Sequence, residues 1–304
     1  MEQSLVIGVD VGGTKILAAV VSRDGSLGAR VERPSEHTSQ DALLDELDTM
    51  VEELHRAEPD VQALGFGIPS RIDQRAGRAL KSVNIPLEGV DLRDRMRERH
   101  GLPVALDNDA NAAAIAEWRA GAARGARHVV MLTLGTGVGG GLILDGTPYR
   151  GATGSGAELG HIVLEPGGPP CGCGGHGHLE SFAAGPAADR VARALYGEGA
   201  DAHELVRRGR AGEAEAIEAL AGIGRYLGAG IASLVNVFEP EVVVVGGGFG
   251  IAGELLLAQA REVVVIEGLE PARDTVRIVG AELGADAGVI GAGMVAFEAL
   301  GPVA

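Results

Sequence analysis

Both cysteines of the chain and three of its eight histidines lie in one short run, GHIVLEPGGPPCGCGGHGHLE, at residues 160–180. Thiolate and imidazole groups are the usual ligands of a tetrahedral Zn2+ site. The glycines between them let a short loop fold around an ion, and the C-x-C spacing would strain a disulfide. The run therefore indicates a metal site. The alternatives are a surface loop whose thiols have no function and a loop that binds metal only adventitiously. The candidate ligands are His161, Cys171, Cys173, His176 and His178.

Three polar residues, Asp107, Asn108 and Asp109, stand where a strand-like run meets the helix-like ANAAAIAEW. A helix cap needs only one of them, so the surplus indicates a site at the carboxyl end of a strand, where open α/β sheets bind ligands. The helix dipole favours the anionic form of Asp109 by about 0.3–1 kcal/mol. An ionised aspartate can orient a hydroxyl and accept its proton during phosphoryl transfer. The pattern indicates kinase chemistry, with a plain helix cap as the alternative.

Two glycine-rich turns, GVDVGGTK near the N-terminus and LGTGVGGG near residue 138, each lie between strand-like runs. The first is not a Walker loop, because the order is Gly-Thr-Lys and no helix follows. The second contains G-x-G-x-x-G but leads into the strand-like LILDGT, which contradicts a dinucleotide fingerprint. Glycine amides can hold phosphate, and Asp10 can reach Mg2+ through water. The sequence therefore predicts two phosphate-binding hairpins; an ordinary hairpin is the alternative for the first.

A third glycine cluster, at Gly248, Gly250 and Gly253, follows the strand-like VVVV and precedes a helix-like run. Together with Glu282 after the next strand, it is the one feature that supports a dinucleotide enzyme. The alternative is that these glycines bring the backbone close to a nucleobase or sugar.

Strand-like and helix-like runs alternate along the chain, so an α/β fold must position these groups. The first 22 residues and the run at 128–149 look like two versions of one strand, turn and strand device. This repetition predicts two related halves with a cleft between them. The predicted helices lie at residues 41–55, 92–100, 213–236, 253–264 and from 286 onward, and further strands lie at 61–69 and 102–109 and in VVVVGG and TVRIVGA.

Composition excludes several classes of partner. The formal net charge of −16 would repel a nucleic-acid backbone, and no cluster of Lys and Arg offsets it. No apolar run approaches the roughly 18 residues of a membrane span, and MEQS lacks the basic start of a signal peptide. We expect a cytoplasmic protein that binds neither nucleic acid nor membrane.

Taken together, the motifs resemble the repressor, open reading frame, kinase (ROK) group of sugar kinases, which has the actin-like ATPase fold, a ribonuclease H-like α/β fold. The resemblance covers essentially the whole chain. It implies a smaller α/β domain formed by residues 1–107 and 288–304, and a larger one, with the metal loop, formed by 108–287. The motifs that carry it are DVGGTK, DNDANAAA, GTGVGGG, GAELGH at 156–161 and CGCGGHGHLE at 171–180.

The resemblance implies a glucokinase-type enzyme that transfers the γ-phosphoryl group of ATP to the 6-hydroxyl of a hexose, with Asp109 as the catalytic base. The candidate sugar contacts are Asn108, Asp109, Glu158, His161 and Glu180, with Ser70 in GIPSRID where many members have Gly. The candidate ATP and Mg2+ contacts are Asp10, Gly12, Gly13, Thr14, Lys15, Gly135, Thr136, Gly137 and Gly139, and Gly247 and Gly248 in VVVVGGGFG resemble the adenosine segment.

The family carries a structural zinc ion on one His and three Cys, and the third cysteine position is His178 in this sequence. The resemblance thus implies Zn2+ on His161, Cys171, Cys173 and His178, with His176 as a substitute ligand. Such an ion would brace the loop that delivers His161 and Glu180 to the sugar.

Some choices stay open within the resemblance. Mannose, fructose or N-acylmannosamine are alternative substrates, and polyphosphate is an alternative phosphoryl donor. Relatives that act as sugar-responsive transcriptional repressors add a helix-turn-helix module, but only four residues precede the first strand-like run here. The resemblance also implies a homodimer or a homotetramer.

Overall fold

The computed structural model describes residues 4–82 and 84–301, whose strands form two five-stranded sheets and one three-stranded sheet. The strands are β1 Leu5–Val11, β2 Lys15–Ser22, β3 Leu27–Pro34, β4 Val61–Ile68, β5 Ser70–Asp73, β6 Arg78–Ser82, β7 Glu88–Val90, β8 Val104–Asn108, β9 Val129–Leu134, β10 Val138–Leu144, β11 Thr147–Pro148, β12 Val242–Gly246 and β13 Arg277–Gly280. The helices are α1 Gln40–Ala57, α2 Leu92–His100, α3 Asp109–Ala120, α4 Glu180–Ala183, α5 Gly185–Tyr196, α6 Ala202–Arg210, α7 Ala214–Phe238, α8 Glu254–Glu267, α9 Ala272–Thr275 and α10 Ala287–Glu298.

The two five-stranded sheets have the same order. One runs β3-β2-β1-β4-β8 and the other runs β11-β10-β9-β12-β13. In each, the central strand pairs antiparallel with its hairpin partner and parallel with the next strand, so β1 corresponds to β9 and β4 to β12. The repeated strand, turn and strand device in the sequence therefore corresponds to two sheets of one design.

The chain divides into two compact units. The first ends at Gly125 and also contains Pro148–Ala157 and the residues from Ala285 onward, while the second consists of Ala126–Thr147 and Glu158–Gly284. This division differs from the boundary expected at residue 107. The reason is that α3, which follows β8, packs along α10 and so belongs to the first unit.

Close packing of α10 on the first sheet depends on glycine. A Cβ atom on Gly8 of β1 would lie 2.3 Å from the carbonyl oxygen of Val289, and one on Gly65 of β4 would lie 1.9 Å from that of Ala292. On another side of α10, a Cβ on Gly291 would lie 1.9 Å from the carbonyl oxygen of Ala112 in α3. Distances this short exclude any side chain, so these glycines let the backbones of α10, α3 and the sheet touch.

The opposite side of the first sheet is covered by α1, an amphipathic helix with buried residues at helical spacing. Ser39 caps its N-terminus by accepting from the backbone N–H of Ala42 at 3.1 Å. The polar helix α2 ends where Gly101 takes a left-handed conformation, with φ of 70°. Both helices agree with the sequence-based prediction, whereas the three-stranded sheet β5-β6-β7 was not predicted.

In the second unit, the long helix α7 packs against α8 through glycines. A Cβ on Gly224 would lie 2.5 Å from the carbonyl oxygen of Leu256, and one on Gly228 would lie 2.8 Å from Ala260. By length and composition α7 is the one described helix that could cross a membrane, a test that the core helix of a soluble protein also passes. Its glycine contacts with α8 make it a packing helix of this unit.

Candidate active site

The first glycine turn joins β1 to β2 and closes tightly. Val11 pairs with Ile16, and the backbone N–H of Gly12 donates to the carbonyl of Lys15 at 2.9 Å. A Cβ on Gly12 would lie 2.7 Å from that same carbonyl oxygen, so only glycine fits there. Thr14 and Lys15 are exposed beside it. The turn is thus a tight hairpin whose exposed residues are Thr14 and Lys15.

Two residues outside the predicted set brace this turn. The Nε2 atom of His37 lies 2.6 Å from the carbonyl oxygen of Gly13, which can only accept, so the ring nitrogen donates. The backbone N–H of Ser35 donates to the carbonyl of Thr14 at 3.0 Å. Lys15 forms an exposed ion pair with Glu32 at 2.8 Å. The segment after β3 therefore lies along the turn and fixes its carbonyl groups.

Asp10 stands at the end of β1, directly before this turn. Burial and, secondly, the charge of Asp109 raise the pKa of Asp10 from 3.8 to about 7, and Lys15 opposes this effect. The first turn of α10 makes room for the carboxylate, because a Cβ on Gly288 would lie 2.2 Å from its Oδ2. The structure therefore places Asp10 and Asp109 near enough for their charges to interact, and glycine keeps space beside Asp10.

The end of β8 and the start of α3 carry the predicted catalytic residue. Asn108 is the N-cap of α3, since its Oδ1 accepts from the backbone N–H groups of Ala110 and Asn111 at 2.9 and 3.4 Å. Asp109 is the first residue of the helix, half-buried, and its Oδ1 accepts from the N–H of Ala110 at 2.9 Å. Asn108 is therefore the cap of this triplet, and Asp109 is left without a capping role.

Ser70 lies beside this junction. Strand β4 pairs with β8 in a register that sets Ile68 opposite Asn108, and the Nδ2 of Asn108 donates to the carbonyl of Ser70 at 3.4 Å. The Ser70 hydroxyl is buried and donates to the carbonyl of Arg71 at 3.1 Å. Ser70 and Asn108 are therefore neighbours at the carboxyl ends of β4 and β8.

A buried ion pair, absent from the predicted site, supports the same junction. Asp107 is fully buried and its Oδ2 accepts from the Nε of Arg150 at 2.6 Å. The Nη2 of Arg150 donates to both carboxylate oxygens of Glu298 at 3.0 and 2.9 Å. Asp107 thus serves structure and not ligand binding, and its partner comes from the segment Pro148–Ala157.

The second glycine turn joins β9 to β10 and is held by a carboxylate. The backbone N–H of Val138 donates to Oε2 of Glu180 at 3.0 Å, and a Cβ on Gly137 would lie 2.3 Å from that oxygen. The carbonyl of Gly135 accepts from the N–H of Gly185 at 2.8 Å. Glu180, expected as a sugar contact, therefore also fixes the predicted phosphate turn from the start of α4.

The third glycine cluster lies against the second turn. Gly247 has φ of +83°, and a Cβ there would lie 2.4 Å from the carbonyl oxygen of Leu134, the last residue of β9. That oxygen accepts from the N–H of Phe249 at 2.8 Å. Because β9 and β12 are parallel neighbours, both turns lie at the carboxyl ends of adjacent strands, where nucleotide sites form in α/β sheets.

The pairing of strands in this sheet argues against the dinucleotide alternative suggested by Gly248, Gly250 and Gly253. The cluster does follow a strand and precede α8. However, β9, the neighbour of that strand, forms an antiparallel hairpin with β10, which a doubly wound parallel sheet does not contain at that place. The glycine that brings the backbone of this turn against β9 is Gly247, which is outside that trio.

The four expected metal ligands come together. One ligand atom from each of His161, Cys171, Cys173 and His178 lies within 4.8 Å of all the others. Cys171 Sγ is 3.6 Å from His161 Nδ1, and Cys173 Sγ is 3.4 Å from Cys171 Sγ and 3.3 Å from His178 Nδ1. Edges of about 3.5–3.8 Å follow from a tetrahedron with Zn–S of about 2.3 Å and Zn–N of about 2.0 Å. The substitute ligand His176 is exposed and is not part of this group.

The metal group and the second turn share Glu180. Its Oε1 accepts from the thiol of Cys171 at 3.2 Å while its Oε2 holds Val138. Burial, and to a lesser extent Glu180, raise the pKa of the Cys171 thiol to about 11. A cation bound by the sulfur would reverse this preference, because a coordinated thiol is deprotonated.

The exposed Glu158 lies next to His161, with its Oε2 3.9 Å from the Nε2 of that ring. Ala157 before it has φ of +63°, which is rare for a residue with a side chain. Within the second unit, the predicted residues Glu158, His161 and Glu180 are thus linked through the cysteine group, and the glycine turns adjoin them. Within the first unit, Asp10, Ser70, Asn108 and Asp109 share one edge of the sheet.

Known proteins resemble this chain along nearly its whole length. Glucokinase of Thermotoga maritima is 36% identical over 99% of this chain and 100% of its own. The crystal structure of a ROK hexokinase from Thermus thermophilus has a TM-score of 0.86 and 39% identity, covering 97% of this chain and 99% of its own. That of a ROK family glucokinase from Streptomyces griseus, in complex with glucose and AMPPNP, has a TM-score of 0.84 and 34% identity, covering 97% and 100%.

These similarities confirm the actin-like ATPase fold predicted from the sequence motifs. The model of one family, the ROK family, matches residues 6–299, which include both glycine turns, the β8–α3 junction and the cysteine group. The chain therefore belongs to the ROK family.

Proposed function

We propose that this protein is an ATP-dependent hexose kinase, a phosphotransferase that converts glucose and ATP to glucose 6-phosphate and ADP. The observation that carries the proposal is the position of Asp109, at the carboxyl end of β8 and in the first turn of α3, within electrostatic reach of Asp10 at the glycine turn. Glucose is assigned because the full-length relatives are named glucokinases and one solved relative binds glucose and AMPPNP.

In the proposed reaction, the sugar 6-hydroxyl donates its proton to the carboxylate of Asp109 as its oxygen bonds to the γ-phosphorus. The bond between that phosphorus and the β–γ bridging oxygen breaks, and ADP leaves. Since the transition state is loose, the base accepts the proton late and its main task is orientation. The anion is favoured at Asp109 because the N–H of Ala110 donates to it at the helix N-terminus.

The backbone amides of the two glycine turns are the proposed phosphate ligands, and the third turn is the proposed adenosine contact. The turns would supply fixed dipoles that need no rearrangement as charge develops on the phosphate oxygens. The first turn is braced by His37 and the second by Glu180. The residues assigned to ATP and Mg2+ are Asp10, Gly12, Gly13, Thr14, Lys15, Gly135, Thr136, Gly137, Gly139, Gly247 and Gly248.

Mg2+ fits beside Asp10, because burial and, secondly, the charge of Asp109 disfavour an unpaired carboxylate there, and a cation would stabilise its ionised form. When bound, the ion would neutralise phosphate charge. Asp10, whose carboxylate packs against the backbone of Gly288, would hold it through water.

The proposed sugar contacts offer donors and acceptors suited to a polyhydroxylated ligand. Asn108 would use Nδ2, because its Oδ1 caps α3. Glu158 is exposed and available as an acceptor, and His161 stands beside it. Ser70 and Glu180 complete the set, the latter with both oxygens already engaged by Val138 and Cys171.

The group formed by His161, Cys171, Cys173 and His178 fits a structural Zn2+, since two sulfur and two imidazole donors lie within 4.8 Å of one another. Four protein ligands leave no open position for catalysis. The ion would instead brace the chain between Glu158 and Glu180, residues assigned to the sugar and to the second turn.

Metal analysis after dialysis tests this assignment, with about one zinc per chain expected from a four-ligand site. Cys173→Ser should lower the zinc content and the melting temperature together. Protein that contains no zinc and keeps its full thermal stability would contradict the metal assignment and leave the kinase assignment intact.

We further propose a cytoplasmic homodimer or homotetramer. Both cysteines are free, as is usual in reducing compartments. An apolar groove of about 780 Å³ between α4, α5 and α7 has Phe182 and Tyr226 stacked at 4.2 Å between ring centroids, with Tyr226 exposed. Sedimentation analysis should give a dimer or larger, and Tyr226→Arg should shift it towards the monomer; a monomeric wild type contradicts this proposal.

The central experiment is a coupled ADP-release assay across hexoses, with ATP and polyphosphate as donors. Glucose with ATP should give the highest kcat/KM. Asp109→Asn should lower kcat by about 10³-fold or more while calorimetry still detects glucose binding, because it removes the base and keeps the shape. A matched control is Asp41→Asn, the corresponding first-turn carboxylate of α1, which should keep full activity. Turnover by Asp109→Asn near the wild-type rate would overturn the proposed mechanism.

A further inference from the structure

We propose that Arg150 is a positioning residue for Asp109: by joining Asp107 to Glu298, its guanidinium holds the β8–α3 junction at the orientation that phosphoryl transfer requires. The inference rests on the proposed kinase function and adds a residue that contacts neither of the proposed substrates. It also gives a task to the segment Pro148–Ala157, which belongs to the first unit although its neighbours in sequence belong to the second.

The two oxygens of the Asp107 carboxylate have different partners, one at the β8–α3 junction and the other on Arg150. Its Oδ1 accepts from the backbone N–H of Asn108 at 2.8 Å and from the Nδ2 of Asn111 at 3.1 Å. Its Oδ2 accepts from the Nε of Arg150 at 2.6 Å. Asp107 therefore connects the guanidinium to Asn108, directly before Asp109, and to Asn111, two residues after it.

The other end of the guanidinium is fixed as well. Its Nη2 donates to both oxygens of Glu298, the last residue of α10. A carboxylate at a helix C-terminus is unfavourable by itself, and a cation there offsets the helix dipole. Since the first turn of α10 adjoins Asp10 through Gly288, Arg150 ties the junction to the helix that also shapes the surroundings of Asp10.

The backbone of Arg150 is held by its own loop. The N–H of Gly156 donates to the carbonyl of Arg150 at 2.9 Å, which closes the loop. At the loop tip, a Cβ on Gly154 would lie 2.2 Å from the carbonyl oxygen of Ile72 in β5, so the loop backbone lies directly on that strand. Ser70, at the start of β5, accepts from Asn108. The loop therefore packs on β5, whose Ser70 contacts the junction, while Arg150 itself reaches Asp107 at the end of β8.

Asp107 cannot keep this arrangement without a cation. A fully buried carboxylate that loses its partner must shift, take up a proton or admit water. Any such shift is transmitted to Asp109, two residues away, and a displacement of about 1 Å of a catalytic group can cost about 10²-fold in rate. The expected defect of an Arg150 variant is therefore in kcat, because Asp109 acts on the transferred proton, and less in sugar binding.

The test uses the full-length enzyme and three variants. Arg150→Met keeps the length of the side chain and removes its charge, and should lower kcat by about 30-fold to 100-fold with KM for glucose changed by less than about threefold. The double variant Arg150→Met with Asp107→Asn also removes the unpaired carboxylate. It should regain most of the lost thermal stability while its kcat stays low.

Arg33→Met is the matched control, since Arg33 likewise joins two carboxylates, of Glu46 and Glu53, within the first unit but away from β8. It should keep the wild-type kcat. Recovery of kcat together with stability in the double variant would overturn the proposal, because Arg150 would then serve the fold alone. Arg150→Met at the wild-type kcat would overturn it too. Wild-type protein without hexose-dependent ADP release would instead contradict the proposed function, and this inference with it.

Discussion

The turn between β1 and β2 and the turn between β9 and β10 occupy the same place in their sheets. Val11 pairs with Ile16 before the first, and Leu134 pairs with Val138 before the second. One position earlier, however, the first strand carries Asp10 and the second carries Thr133. The second turn receives its carboxylate from outside the hairpin, from Glu180, which binds the N–H of Val138.

The two hairpins therefore share a backbone design but differ in where their carboxylate comes from and in what it contacts. Beside the first turn, burial and, secondly, the charge of Asp109 raise the pKa of Asp10, so its carboxyl binds a proton more readily than an exposed aspartate does. At the second turn, the carboxylate is satisfied by backbone and thiol donors, so its charge fixes the turn and binds little else.

The largest expected effect separates the two equivalent strand positions. Asp10→Asn should lower kcat with Mg2+ and ATP by about 10³-fold, because it removes the carboxylate proposed to hold the cation. Thr133→Val, at the corresponding position of β9, should cost less than about tenfold. Steady-state rates across Mg2+ concentrations check both. Equal losses in the two variants would mean that the hairpins do not differ in this respect.

A smaller effect is expected from disturbing the carboxylate of the second turn. In Gly137→Ala the new methyl group would displace Oε2 of Glu180, which lies 2.3 Å from its position. We expect kcat/KM for ATP to fall by about 10²-fold and stability to fall by about 1–3 kcal/mol. Gly199→Ala, where nothing lies within 4 Å, is the control in the same unit and should match the wild type. Initial rates and urea denaturation measure the two quantities.

The free energy of unfolding should depend on pH differently in the wild type, which has Asp10, and in a variant with an amide side chain at that position. Because the folded-state pKa of about 7 exceeds the ordinary value of 3.8, the folded protein retains a proton that the unfolded chain releases. The free energy of unfolding therefore falls as pH rises from about 4 to 7 and levels off above 7.

Asp10→Asn should remove this loss of stability at higher pH. The melting temperature of the variant minus that of the wild type, measured without divalent cations, should therefore grow from pH 4 to pH 7. The difference in stability amounts to at most about 4 kcal/mol. Asp109→Asn removes the second cause of the raised pKa of Asp10, so in that variant the fall in stability between pH 4 and pH 7 should be smaller. An advantage of Asp10→Asn that does not change with pH would contradict the raised pKa.

The smallest effect concerns the exposed ion pair of Lys15 and Glu32 beside the first turn. Such pairs contribute little to stability, so Glu32→Gln should leave the melting temperature and KM for ATP unchanged. Lys15→Met should raise KM for ATP several-fold if Lys15 also contacts phosphate, as the family motif implies. Identical KM values in both variants would restrict Lys15 to its pairing with Glu32.

Local patterns made most of the fold predictable. The two hairpins, α2 and the start of α10 follow from apolar periodicity and turn residues, which depend only on nearby sequence. The three-stranded sheet β5-β6-β7 was missed because its strands have only three to five residues and little apolar alternation. The unit boundary was misplaced because it depends on the packing of α3 against α10, which no local pattern reveals.

The candidate site divides in the same way. Its cysteine group and its glycine turns could be read from residue types at short spacing, and the four expected ligands do lie together. Arg150 could not be found, because its partners are 43 and 148 residues away. His37 could not be found either, since a lone histidine in a polar stretch has no pattern that points to the carbonyl of Gly13.

The contribution of α10 to the first unit has a consequence for synthesis on the ribosome. Every residue of the second unit precedes Ala285, whereas the helix that covers β1 and β4 is translated only afterwards. Because domains fold as their residues emerge, the second unit can reach its native state while the nascent first sheet still lacks its cover. The unit that is made first is therefore completed last, and until then the apolar strands that α10 covers stay exposed.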